Sequence, residues 1–153
     1  TDKRPDLEKK LTNLAFEMFK KTVFNKDSLQ LKPQNHSFAT YTKKLTKQDG
    51  FIEFEELKKV LLKKDFPPNT YLPVRQAGHI TLNGLFNLFR GLYPWPGIWT
   101  MIKPIQPTRL DEAKRLKITD LELVNGKLII KKVQLEGKKE VDFETFNKAY
   151  RIF

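Results

Sequence analysis

The sequence predicts an α+β fold, and three observations carry that expectation. Two stretches, residues 6–23 and 82–92, repeat apolar residues at helical spacing. Two runs of alternating character flank Asn125-Gly126, a dipeptide that supplies the positive-φ pair of a tight hairpin turn. A last apolar series, Phe143, Phe146 and Tyr150, returns to helical spacing at the end.

The elements follow in order. Leu7, Leu11, Leu14 and Met18, widened by Phe16, Phe19 and Val23, predict a helix over 6–23, with Pro5 suited to its first turn. The stripe is broad for a helix lying alone, so it is expected to pack on another body. Residues 24–50 are polar and weakly periodic and read as an extended linker that ends in the turn signal Asp49-Gly50. Phe51-Ile52-Glu53-Phe54 reads as a short strand or an extended lead-in to a helix over 55–64, with Leu57, Val60 and Leu61 inward. Residues 65–80, with Pro67-Pro68 and Pro73, read as an irregular excursion. Thr81 is placed to cap the helix carrying Leu82, Leu85, Phe86, Phe89 and Leu92, and Pro94 stops it. Phe86, Phe89, Trp95 and Trp99 are all expected in the core. Ile98–Ile102 is a candidate strand, and Lys117–Val124 with Lys127–Leu135 forms the hairpin. Lys131-Lys132 breaks the alternation by one residue and predicts a bulge. Asp142 is expected to cap the last helix.

Composition narrows the function. The 153 residues include no cysteine, which removes disulfides, thiol nucleophiles and Cys-based metal sites. Only His36 and His79 are present, so a His-rich metal site is not expected. No apolar run approaches the ~20 residues of a membrane span, so no membrane partner is expected. The chain starts at Thr1 without a Met or a targeting pattern, which reads as part of something longer. Phosphate-loop, dinucleotide, zincin and nucleophile-elbow motifs are all missing. Glu53, Glu55 and Glu56 read as a solvated helix face.

The positive signal is charge. Lys and Arg number 29 against 18 Asp and Glu, a net of +11. The excess is spread over all three thirds of the sequence, which favours a polyanion met by a folded surface over a basic tail. Two clusters stand out: Lys43, Lys44 and Lys47 on the linker, and Lys131, Lys132, Lys138 and Lys139 at one end of the hairpin. Arg90, late in an apolar helix, is positioned to join either. These eight are the candidate binding residues.

Four segments then resemble one family. Ala39-Thr40-Tyr41-Thr42-Lys43-Lys44-Leu45-Thr46-Lys47 and Gly50-Phe51-Ile52-Glu53-Phe54 resemble the linker and first strand of the C-terminal half of methionyl-tRNA formyltransferases, which run ATYA-x-K-[IL]-x-K and x-I-D-W. Gly84–Trp99 is similar to that domain's helix and Pro-Trp-Pro turn, with Leu92-Tyr93 where the family has Phe-Asn. Gly126-Lys127-Leu128 through Val133–Lys139 resembles its closing hairpin, and Leu7, Lys10 and Leu11 resemble the last helix of the catalytic domain. Residues 55–80 are longer than the family's connection. The family's strand and hairpin are not evident between 103 and 117.

The resemblance implies a division at 1–38, a terminal helix and linker from a catalytic domain outside this chain, and 39–153, a small OB-like β-barrel with packed helices. It implies a cytoplasmic, monomeric protein whose partners are tRNA and an N-terminal catalytic domain. It implies 10-formyltetrahydrofolate as the full enzyme's formyl donor, with no cofactor in this chain. The family's catalytic motif, N-x-H-x-S-L-L-P, is not matched by Asn35-His36-Ser37, so the chain alone is expected to be inactive. Two alternatives stay open. One is the related C-terminal domain of a sugar-nucleotide formyltransferase, which would bind no RNA. The other is a stand-alone basic OB-like module, disfavoured because most Phe and Leu fall on core periodicities.

Overall fold

The computed structural model describes residues 2–28, 30, 32–62, 75–76, 79–103 and 113–153. The chain forms two compact units, Thr1–Leu45 and Thr46–Phe153.

The first unit is built on helix α1, Arg4–Phe24, with Pro5 in its first turn. The Lys3 backbone N–H donates to the Asp6 carboxylate at 3.0 Å, and the Asn25 N–H closes the other end on the Lys21 carbonyl. An Arg4–Glu8 pair at 3.2 Å adds i,i+4 support. No residue of α1 is buried, and Leu7, Leu11, Leu14, Phe16, Met18, Phe19 and Val23 are all exposed. The linker is less extended than its polarity predicts. Short 3₁₀ turns occupy Lys26–Ser28 and His36–Phe38, the second capped by the Asn35 side chain on the Ser37 N–H. Asn and Ser bond to nearby backbone, which favours local turns over an extended run.

The second unit opens with a third such turn, Lys47–Gly50. The Thr46 hydroxyl and N–H both donate to the Asp49 carboxylate. Phe51 then makes a single parallel bridge with Trp99, and the chain enters helix α2, Phe54–Leu62. Leu57 and Val60 are buried as expected, and Leu61 is half-buried. Glu56 departs from the solvated face and accepts a hydrogen bond from the Ile80 N–H. Most of the predicted excursion at 65–80 lies outside the described residues. Within it, β1, Arg75–Gln76, pairs antiparallel with β2, His79–Ile80.

Helix α3, Leu82–Leu92, follows, and its Thr81 cap accepts from the Gly84 N–H at 2.9 Å. Removing this cap as Thr81→Ala is expected to cost about 1 kcal/mol, read as a Tm lowered by about 4–8 °C.

The main sheet is an antiparallel meander of β3 (Ile98–Ile102), β4 (Lys114–Val124), β5 (Lys127–Leu135) and β6 (Glu140–Asp142). Asn125 and Gly126 both hold positive φ, as the hairpin requires. Helix α4, Phe143–Tyr150, closes the chain. Asp142 stands at its N-cap without a side-chain cap bond, so the expected capping bond is not made. The class is α+β. Among the described residues the sheet is open, and residues 104–112 lie outside them.

The core lies between this sheet and three helices, all of which contact β5. Leu85 and Phe89 of α3, Leu57 of α2 and Phe146 of α4 meet Ile98, Leu116, Ile118 and Val133 of the sheet, all essentially inaccessible. The predicted irregularity at Lys131-Lys132 is present and shared by both strands. Ile118 pairs with Val133, Asp120 with Lys132 and Leu121 with Ile130, so two opposed slips cancel. Each strand changes phase there and keeps its apolar residues inward on both sides.

One core assignment is overturned. Phe89 is buried, Phe86 and Trp99 are half-buried, but Trp95 is 47% exposed. The turn after α3 buries Pro96 and Gly97 instead, and the Trp95 side chain is left outward.

Candidate nucleic-acid interface

The second unit carries a cleft of about 250 Å³, lined by Lys47, Trp95, Trp99, Arg115, Lys117 and Glu136 among others. Four segments distant in sequence build it, and Trp99 links three of them. Its indole N–H donates to the Lys47 carbonyl at 2.8 Å, and its own carbonyl accepts from the Ile52 N–H at 2.9 Å. The Phe51 ring lies 4.8 Å away, and the Arg115 guanidinium sits 5.9 Å above the indole.

The second tie is a glycine. A Cβ on Gly50 would stand 1.9 Å from the Gly97 carbonyl oxygen, so only glycine lets the Lys47–Gly50 turn reach the Pro-Trp-Pro-Gly turn. Gly97, with φ of 73°, lies under the stem of Lys117, whose ammonium donates to the Pro94 carbonyl at 3.2 Å. Lys117 is thereby fixed, and among the described residues it has no ion-pair partner. Arg115 pairs with Glu136 at 3.3 Å. The cleft holds three cations and one carboxylate.

The eight sequence candidates divide around this cleft. Lys47 lines it. Lys138 borders it: its carbonyl accepts from Gln134, its N–H donates to Leu135, and Gln134, Leu135 and Gly137 are all lining residues. Lys139 is adjacent and exposed. Lys43 and Lys44 are exposed in the first unit. Lys131 and Lys132 have carboxylate partners, Glu122 at 3.2 Å and Glu140 at 3.3 Å. The Glu140 carboxyl is held below its ordinary range by the Thr119 hydroxyl first and Lys132 next. Arg90 lies over the Phe86 ring and donates to the Asn87 side chain at 2.6 Å.

Arg115, Lys117 and Trp95 were not among the sequence candidates. Arg115 and Lys117 alternate with the buried Leu116 and Ile118, so their shared outward face was legible from the strand period. What they face was not. Among the described residues no group of His, Asp or Glu is arranged to hold a metal ion, and no helix is long and apolar enough to cross a membrane.

Comparison with known proteins agrees with the motifs. The chain is 30% identical to the methionyl-tRNA formyltransferase of Rickettsia bellii, over 95% of its own length and 44% of the relative's. The chain is similar to methionyl-tRNA formyltransferases. That of Campylobacter jejuni subsp. doylei is 27% identical over 93% of the chain and 43% of its own length. That of Caldicellulosiruptor saccharolyticus is 28% identical over 78% and 47%. The chain thus spans less than half the length of these curated relatives, which fits a C-terminal portion. No family model and no solved structure matches.

Proposed function

We propose that this chain is the tRNA-binding C-terminal portion of a methionyl-tRNA formyltransferase. The observation that carries the reading is the similarity that covers 95% of the chain but only 44% of a relative of that name. The net charge of +11 and the basic cleft support it.

In this reading Lys47, Lys117, Lys138 and Lys139 neutralise phosphates of the tRNA, and Lys43 and Lys44 add a second group of contacts. Phosphates carry no sequence information, so these contacts fix register and orientation. A-form helices offer backbone and shape more readily than base edges, which suits lysines on a folded surface. The chain holds the tRNA so that its aminoacyl end reaches a catalytic domain that carries 10-formyltetrahydrofolate, a positioning contribution to the reaction. The exposed apolar stripe of α1 is the surface that docks on that domain.

The test is filter binding of initiator tRNA to the chain across salt concentrations. Six phosphate contacts give a log–log slope of about −4.2 to −5.4, with a Kd of ~10⁻⁴–10⁻⁶ M at physiological salt. A flat response, or no binding at low salt, contradicts the reading. In the same preparation, formyl transfer to methionyl-tRNA is expected to match the no-enzyme control.

A further inference from the structure

We propose that the cleft between the Lys47–Gly50 turn, the Pro-Trp-Pro-Gly turn and the ends of β4 and β5 accepts one unpaired RNA nucleotide, with its base stacked on Trp95 and its phosphate held by Lys47 and Lys117. The inference deepens the tRNA reading and rests on it for its natural ligand.

The two tryptophans of the cleft have different roles. Trp99 is half-buried: its N–H bonds the Lys47 carbonyl, Phe51 packs against it and Arg115 covers it. Trp95 lines the same cleft while 47% exposed. A large aromatic left outward beside cations is the pairing that single-strand binders use, because every base offers a π-face to stack.

The charges fit the other half of a nucleotide. Among the described residues the Lys47 ammonium has no ion pair, and that of Lys117 bonds only a neutral carbonyl, that of Pro94. Both therefore keep their full charge for a phosphate. Arg115 is the exception, already paired with Glu136. The cleft, at about 250 Å³, is a small concavity and not a groove for a helix.

The experiment follows the indole N–H resonances of the ¹⁵N-labelled chain. The chain has two tryptophans, and a Trp95→Phe variant tells their signals apart. A single-stranded RNA tetranucleotide is expected to move the Trp95 signal to saturation. An abasic tetranucleotide with the same phosphates is expected to bind roughly 5- to 150-fold more weakly, the range of base–aromatic stacking. Trp95→Ala is expected to bring the normal tetranucleotide down to the abasic level, and Trp95→Phe to keep most of the difference. Inorganic phosphate is expected to leave the Trp95 signal in place. Equal binding of normal and abasic RNA overturns the proposal, as does a Trp95 signal that stays put while salt-sensitive tRNA binding is plain. If the tetranucleotide stacks on Trp95 but initiator tRNA does not bind, the nucleotide site stands and the tRNA reading fails.

Discussion

Gly50→Ala is expected to destabilise the larger unit by about 3 kcal/mol or more, a fall in Tm on the order of 15 °C. The added Cβ would meet the Gly97 carbonyl oxygen at 1.9 Å and its carbon at 3.1 Å, and both are backbone. A side-chain tip could swing away, but here one of two turns has to move. Moving either strains the Trp99 links to Lys47 and Ile52 and displaces Lys47 from the cleft. Gly91→Ala is the matched control. Its Cβ meets nothing within 4 Å, and it lies in α3, where alanine is the better helix former by about 1 kcal/mol. Thermal melts of both variants check the pair, and equal melting temperatures would show that the two turns are not in contact.

The double reversal Lys47→Glu and Lys117→Glu is expected to weaken initiator tRNA binding by about tenfold or more and to flatten the salt slope by about 1.4–1.8, the loss of two phosphate contacts. Lys131→Glu with Lys132→Glu changes the net charge equally and is expected to do less. Those two lysines face Glu122 and Glu140, and Lys132 also stands opposite Asp120 and Asp142 across the strands. A phosphate approaching them meets carboxylates as well. Such exposed ion pairs are individually weak, but they cancel the local field that a phosphate would feel. Salt-dependent titration of both doubles separates the alternatives. Equal losses would mean that the protein's overall charge of +11 binds tRNA without a defined surface.

The residues differ in how much of this they disclose by themselves. Helix α3 and β3 fall on the predicted residues because their signals are local: a threonine cap, a 3.6-residue apolar period and a five-residue run that is apolar but for Thr100. The hairpin is equally local, since Asn125-Gly126 sets its turn. The phase break at Lys131-Lys132 was visible on β5, but its counterpart at Thr119 and Asp120 was not, because a slip in one strand says nothing of how its partner absorbs it. The site was the least legible part. Lys131 and Lys132 read as free cations because Glu122 and Glu140 lie nine and eight residues away along the chain and become neighbours only across the sheet. Trp95 read as core because size and apolarity predict burial, yet a turn that buries Pro96 and Gly97 turns its neighbour outward. Lys47 is among the residues the sequence singles out, whereas Arg115 and Lys117 are not.

Lysine footprinting tests the central claim most directly. The chain is acetylated with and without initiator tRNA at low salt, and each lysine's modification is read by mass spectrometry. Lys47, Lys117, Lys138 and Lys139 are expected to be protected, Lys43 and Lys44 to be protected as well, and Lys131 and Lys132 to react as in the free chain. Protection centred on Lys131 and Lys132, or spread evenly over all lysines, would contradict a tRNA surface organised around the Trp99 cleft.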